Sequence, residues 1–205
     1  MTDPEPSADV VVGLFIGGAS RRMGGQAKGM LPAPGGSETV SARLIRIVQD
    51  TLPRASIVLV GKHSNYDSLQ LPSLTDRPPG IGPLGGLLAL LHHTLDQATE
   101  PGSPAVALAL ACDMPYVSHE LLHRLNDESP DAAALAPCVD GRYQPFFARY
   151  KASLALRAAE SCQAKQLHSL QHVLRSLDTE ALSLDESETL QLRDWDRPED
   201  VQGPS

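Results

Sequence analysis

No apolar run in this chain approaches the roughly 18 residues that a membrane span requires, so nothing in it reads as a transmembrane helix. Met1 to Asp9 is acidic and proline-containing, without the basic-then-apolar order of a signal peptide, and residues 1–9 are expected to be a frayed, disordered tail. Cysteine is scarce. Cys112, Cys138 and Cys162 form an odd set with no C-x-x-C spacing, which argues against a disulfide framework or a zinc ribbon and suits a reducing cytoplasm. Basic charge is short as well: 17 Lys and Arg face 25 Asp and Glu, and a net charge of -8 lacks the basic face of a general nucleic-acid binder. Repeats are absent, and no linker is long enough to divide the chain. Residues 10–205 are therefore expected to form one domain, burying roughly 70% of the unfolded surface.

What the chain does have is Gly17-Gly18-Ala19-Ser20-Arg21-Arg22-Met23-Gly24-Gly25-Gln26-Ala27-Lys28, directly after the apolar run Val10–Ile16. Consecutive glycines let backbone N–H groups converge on an anion, and a following helix start adds its positive end. Arg21, Arg22 and Lys28 supply side-chain charge for a triphosphate. The loop matches neither G-x-G-x-x-G nor the Walker ending, since Gly29 and Met30 follow Lys28. On its own it also fits a plain glycine-rich turn with solvated arginines.

Val10–Ile16, Ile57–Val60 and Ala105–Ala111 are short apolar runs without alternation, the pattern of strands buried on both faces. Val40, Leu44, Ile47 and Val48 follow helical spacing, and Leu87 to Leu95 is a leucine-rich helix entered through Gly82-Pro83-Leu84-Gly85-Gly86. Such alternation predicts an α/β fold with a largely parallel sheet, whose ligands sit beyond the carboxyl ends of the strands. Both the Gly17 loop and Asp113, in Ala111-Cys112-Asp113-Met114-Pro115, fall there. Further on, the pattern predicts a helix over 118–125, strands over 132–136 and 144–150, and helices around 152–160 and 168–177. A last strand-like run, Thr189–Leu192, leads into Asp194-Trp195-Asp196-Arg197-Pro198. Magnesium typically takes one or two carboxylates together with substrate phosphates, which makes Asp113 a candidate metal ligand. Asp194 and Asp196 are candidates for a second, with a solvated acidic turn as the bland alternative.

The ordered set Phe15-Ile16-Gly17-Gly18, Arg21-Arg22-Met23-Gly24, Lys28, Gly82-Pro83-Leu84-Gly85-Gly86, Cys112-Asp113-Met114-Pro115, Gln144-Pro145 and Pro198-Glu199-Asp200 resembles the molybdenum cofactor guanylyltransferases over about residues 10 to 201. The resemblance implies a three-layer α/β/α, Rossmann-like nucleotidyltransferase fold with a mostly parallel sheet. It implies GMP transfer from GTP to the terminal phosphate of molybdopterin, with pyrophosphate released and Mg2+ as cofactor. It assigns Lys28, Arg22 and Asp113 to catalysis. Phe15, Ile16, Gly17, Gly18, Arg21, Lys28, Asp76, Gly82, Gly85 and Asp113 would bind nucleotide, and Asp113 would hold metal; Asp196, where the chain departs from the family pattern, is the candidate second metal carboxylate on its spacing. A cytoplasmic monomer or weak oligomer is expected, in transient contact with cofactor-biosynthesis or acceptor proteins.

The related cytidylyltransferases differ little; Arg21-Arg22, Gln144-Pro145-Phe146-Phe147 and the run Gln166 to Leu174 favour guanylyl. Three positions depart from the family pattern: Ala27 before the lysine, Ile16 before the paired glycines, and Asp194 to Pro198. Sugar-1-phosphate nucleotidyltransferases share the fold but carry a larger C-terminal part, and a catalytically idle nucleotide-binding homologue is the alternative of another class. His119-Glu120-Leu121-Leu122-His123 matches the zinc-protease pattern H-E-x-x-H literally. On a helix, however, Leu121, Leu122 and Leu125 cluster on one side and leave the histidines toward solvent.

Overall fold

A computed structural model describes residues 9–17, 27–98 and 105–193. Its strands are β1 (Asp9–Phe15), β2 (Ser56–Val60), β3 (Ser73–Leu74), β4 (Ala105–Ala111), β5 (Ala134–Val139), β6 (Arg142–Tyr143), β7 (Phe147–Lys151) and β8 (Glu180–Leu182). They form one sheet in the order β3-β2-β1-β4-β7-β5-β6, with β8 beside β5. Neighbours β3, β2, β1 and β4 run parallel, while β7 is antiparallel to both β4 and β5. Six helices, α1 (Val40–Thr51), α2 (Pro83–Asp96), α3 (His119–Asp127), α4 (Ala152–Ala164), α5 (Leu170–Ser176) and α6 (Glu186–Gln191), complete the described residues. The expected three-layer, mostly parallel α/β architecture is what forms.

The two sheet faces carry different side chains. Period-two alternation sends Val12, Leu14 and Ile16 of the first strand region to the core under α1 and α3, and Val11 and Phe15 to the core under α2, α4 and α5. On β4 the split is one of size. Leu108 and Leu110 enter the first core, whereas Ala105, Ala107 and Ala109 enter the second. The small face lets α2 and α4 come close to the strands: a Cβ added to Gly13 would lie 2.6 Å from Leu90 Cδ2.

Two local predictions are corrected. Thr189–Leu192 is not a strand but the end of α6, which starts with a full capping box: Asp185 accepts from Glu188 N–H, and the Glu188 carboxylate accepts from Asp185 N–H. The stretch predicted as one strand over 144–150 divides, so that Gln144, Pro145 and Phe146 form the connection between β6 and β7.

Candidate functional site

β1 and β4 lie in register, Phe15 beside Ala111, and the Cys112 N–H donates to the Phe15 carbonyl at 3.1 Å. The chain leaves both strands at the same level, so Gly17 and Asp113 meet at one crevice. Gly17 has φ +75, with nothing within 4 Å of an added Cβ, so its backbone conformation rather than lack of room is what calls for glycine there. Phe15 and Ile16 are buried, their side chains in the two cores. Whatever they offer a nucleotide is backbone. Phe15 also packs on Phe146, ring centroids 4.7 Å apart.

Lys28 opens a short 3-10 turn, Lys28–Met30. Its Nζ lies 3.4 Å from Asp113 Oδ2, the two side chains 17% and 20% exposed. A cation and a carboxylate are thus paired where a phosphate could bridge them. Gly29, next in the chain, donates its N–H to the Tyr66 hydroxyl at 3.3 Å, and that hydroxyl shares a 3.2 Å hydrogen bond with Cys112 Sγ. Burial, followed by the negative charge of Asp113, pushes the Cys112 thiol up to about 12. Burial foremost also raises the Tyr66 phenol, so both remain protonated at neutral pH.

The start of α2 forms a second wall. Its N-cap, Gly82, has φ +66 and ψ -149, a region essentially restricted to glycine. The Arg77 N–H donates to the Gly85 carbonyl at 3.0 Å, which draws the loop carrying Asp76 onto the first helical turn. Gly85 and Gly86 make room for it: an added Cβ at Gly85 would lie 2.6 Å from the Pro78 carbonyl oxygen and 3.0 Å from Asp76 Cβ. Beyond Pro83 a cavity of about 500 Å3 opens toward Tyr143, Gln144, Phe146 and His168. Gln171 links β6 to α5 at its edge, accepting from Tyr143 N–H and donating to the Tyr143 carbonyl.

The structure therefore brings Gly17, Lys28 and Asp113 to one crevice, and packs Asp76 against Gly85 at the start of α2. Gly18, Arg21, Arg22 and Asp196, with Asp194, lie outside the described residues. Tyr66 and Ser41, which pack around the Lys28 turn, carried no sequence signal: one is a single aromatic in a polar stretch, the other a serine in an amphipathic helix.

The H-E-x-x-H reading finds no support in the geometry. Leu121, Leu122 and Leu125 are buried as expected. His119 is not wholly turned to solvent, however: its Nδ1 lies 3.1 Å from Thr51 Oγ1, while exposed His123 pairs with Asp127 at 3.2 Å. Among the described residues no three His, Cys, Asp or Glu side chains are grouped to hold a metal. No helix there is long and apolar enough to cross a membrane.

The MobA-like NTP transferase domain family matches residues 13–181. The chain is 35% identical over 159 residues to a "probable molybdenum cofactor guanylyltransferase" of Mycobacterium tuberculosis, spanning 76% of this chain and 73% of the relative. It is 31% identical over 207 residues to one so named in Methanothermobacter thermautotrophicus, spanning 93% and 96%. Among solved structures, molybdopterin-guanine dinucleotide biosynthesis protein A of Archaeoglobus fulgidus shares the fold with TM-score 0.68 at 21% identity, covering 94% of this chain and 95% of its own. Because the family match runs from the end of β1 through Lys28, Asp76, Gly85 and Asp113 alike, the protein belongs to the MobA-like NTP transferases and is a nucleotidyltransferase.

Proposed function

We propose that the protein transfers GMP from GTP to the terminal phosphate of molybdopterin, releasing pyrophosphate, as a step of molybdenum cofactor biosynthesis. The observation that carries this reading is the Lys28–Asp113 pair, 3.4 Å apart, where the turn that follows β1 meets the carboxyl end of β4. The names of its relatives supply the base and the acceptor.

A phosphate oxygen of the acceptor attacks the α-phosphorus of GTP, a P–O bond forms, and the bond to the β-phosphate oxygen breaks. No protein nucleophile is required, so the chain's work is positioning and charge stabilisation. Lys28 opposes the charge growing on the α-phosphate. Arg22, with Arg21, holds the departing pyrophosphate. Asp76 and the backbone of Gly82 to Gly86 meet the nucleoside, and the cavity beside Pro83 and Phe146 takes the pterin.

The family implies magnesium. The Asp113 carboxylate stands at a strand end beside Lys28, and among the described residues no three His, Cys, Asp or Glu side chains group into a metal cage. That suits an ion shared with substrate phosphates rather than one caged by protein. Asp113 would hold the ion, with Asp196 as the proposed second ligand, and the ion would supply positive charge to offset that of the substrate phosphates. Three unpaired cysteines support a cytoplasmic setting.

The test is pyrophosphate release with molybdopterin as acceptor, comparing GTP, CTP, ATP and UTP. Turnover confined to GTP is the expected result. A CTP preference would keep the mechanism and change the base; silence with all four would overturn the reading.

A further inference from the structure

Lys28 and Asp113 sit on segments that are distant in sequence, and the lysine turn belongs to no strand that could fix its register. What joins the two segments is a buried junction around Gly29. A Cβ on Gly29 would lie 2.9 Å from both the Tyr66 hydroxyl and the Cys112 carbonyl, and would fall on Ser41 Oγ. Gly29 adjoins Lys28, and Cys112 adjoins Asp113. Between them stands the Tyr66 hydroxyl, bonded to Gly29 N–H at 3.3 Å and to Cys112 Sγ at 3.2 Å, on a residue 2% exposed. Tyr66 comes from a third segment, the turn Ser64–Leu69 between β2 and β3.

We propose that Tyr66 is a positioning residue for nucleotidyl transfer: its hydroxyl ties the Lys28 turn to the Cys112–Asp113 strand end and so sets the spacing of lysine and carboxylate across the triphosphate. The proposal rests on the functional reading above and assigns a role to a residue outside the phosphate loop and the helix start. The lysine stem is flexible, so the protein controls the ammonium chiefly through the backbone that carries it. A misplacement of about 1 Å is enough to cost about 10²-fold in rate. A phenol suits the task, because its ring is held by the core under α1 while one oxygen both accepts and donates.

Phenylalanine would keep the ring and delete the junction. The full chain carrying Tyr66→Phe, Cys112→Ala, Cys112→Ser or the Tyr66→Phe/Cys112→Ala pair is compared with the parent. The readouts are kcat and KM for GTP in the pyrophosphate assay, GTP affinity by calorimetry without metal, and the thermal midpoint. Tyr66→Phe is expected to lose about 10- to 100-fold in kcat while GTP affinity and KM stay within about threefold. Cys112→Ala is expected to lose about 3- to 10-fold and Cys112→Ser, which keeps an acceptor, less than about twofold. The pair should fall no lower than Tyr66→Phe alone, since both substitutions break one linkage.

Parental kcat in Tyr66→Phe per GTP-binding site, with only the midpoint lowered, would reduce the tyrosine to a structural filler and overturn the proposal. So would multiplicative losses in the pair. Should Tyr66→Phe fail to fold, equal kcat in Cys112→Ala and Cys112→Ser would overturn it. A parent that neither binds nor turns over GTP would sink the functional reading itself, and this proposal with it.

Discussion

Gly85→Ala tests whether the contact between α2 and the Asp76 loop is as close as the structure has it. Two effects oppose each other. Alanine gains up to about 1 kcal/mol over glycine from helix propensity. Against that, the new Cβ would sit 2.6 Å from the Pro78 carbonyl oxygen and 3.0 Å from Asp76 Cβ, so the gap must open by about 0.8 Å to reach the 3.4 Å of ordinary contact. The helix has little room to yield, with Leu84 and Leu87 fully buried and Gly86 already pressed on Val60 and Phe15. The loop must give, which strains the 3.0 Å hydrogen bond from Arg77 N–H to the Gly85 carbonyl. Overpacking of this kind costs about 1–3 kcal/mol. The clash therefore wins by about 1 kcal/mol, or about 2–4 °C in Tm at this chain length. The larger effect is on function: if Asp76 meets the nucleoside as proposed, displacing it should weaken GTP about tenfold, equivalent to about 1.4 kcal/mol. Gly36→Ala is the control, because an added Cβ there meets nothing nearer than 3.9 Å. Calorimetric titration with GTP and thermal unfolding decide the matter. Parental affinity and Tm in Gly85→Ala would refute the reasoning.

Lys28→Ala and Asp113→Ala should each lower kcat by about 10²- to 10³-fold while remaining folded; near-normal turnover in the pyrophosphate assay would remove that residue from the mechanism. The exposed Cys138 should alkylate readily at pH 8 while Cys112, buried and with its thiol pushed up to about 12, stays protected, as mass spectrometry of the labelled protein can show. The folded pKa of Cys112 exceeds the ordinary 9.0, so its contribution to stability is complete below pH 9 and is lost as pH rises toward 12. The raised Tyr66 phenol acts in the same direction, and urea unfolding at pH 8 and pH 11 should show the decline, shallower in Cys112→Ser. At the acid end, the hydrogen bond from Arg124 holds the Glu188 carboxyl below 4.5, so this link between α3 and α6 is present above that pH and fails as pH falls through the folded value. Amide exchange in α6 should accelerate there and in Glu188→Gln at neutral pH.

The central strands were legible because strands buried on both faces leave unbroken apolar runs, as Val10–Ile16 and Ala105–Ala111 do. The helix over 118–125 was legible from its leucine spacing. Two-residue strands such as Ser73–Leu74 and Arg142–Tyr143 were not, since neither gives a period a length over which to show. The final helix does announce itself, though not in Thr189–Leu192 taken alone: the preceding Asp185-Glu186-Ser187-Glu188 is a capping-box pattern that makes the run after it helical rather than extended. At the site, glycines and charges with motif spacing, Lys28, Gly85 and Asp113, stood out on composition. Tyr66 did not, because its role depends on a meeting of three segments that no local pattern encodes.

The reversed direction of β7 has a consequence for how specificity can change. Its first residue, Phe147, pairs with Leu110 at the carboxyl end of β4, and the Ala111 N–H donates to the Phe146 carbonyl at 2.8 Å. Gly17 and Asp113 thus follow forward-running strands, while Gln144, Pro145 and Phe146 precede a backward-running one at the same rim. Under the proposed function, lengthening or recolouring the hairpin before β7 would remodel the proposed acceptor side without an insertion into any segment proposed to hold the triphosphate. The rim at the carboxyl ends of β1 and β4 thus carries two separately adjustable inputs, and under the proposed function a new acceptor could be acquired while the nucleotide site is kept.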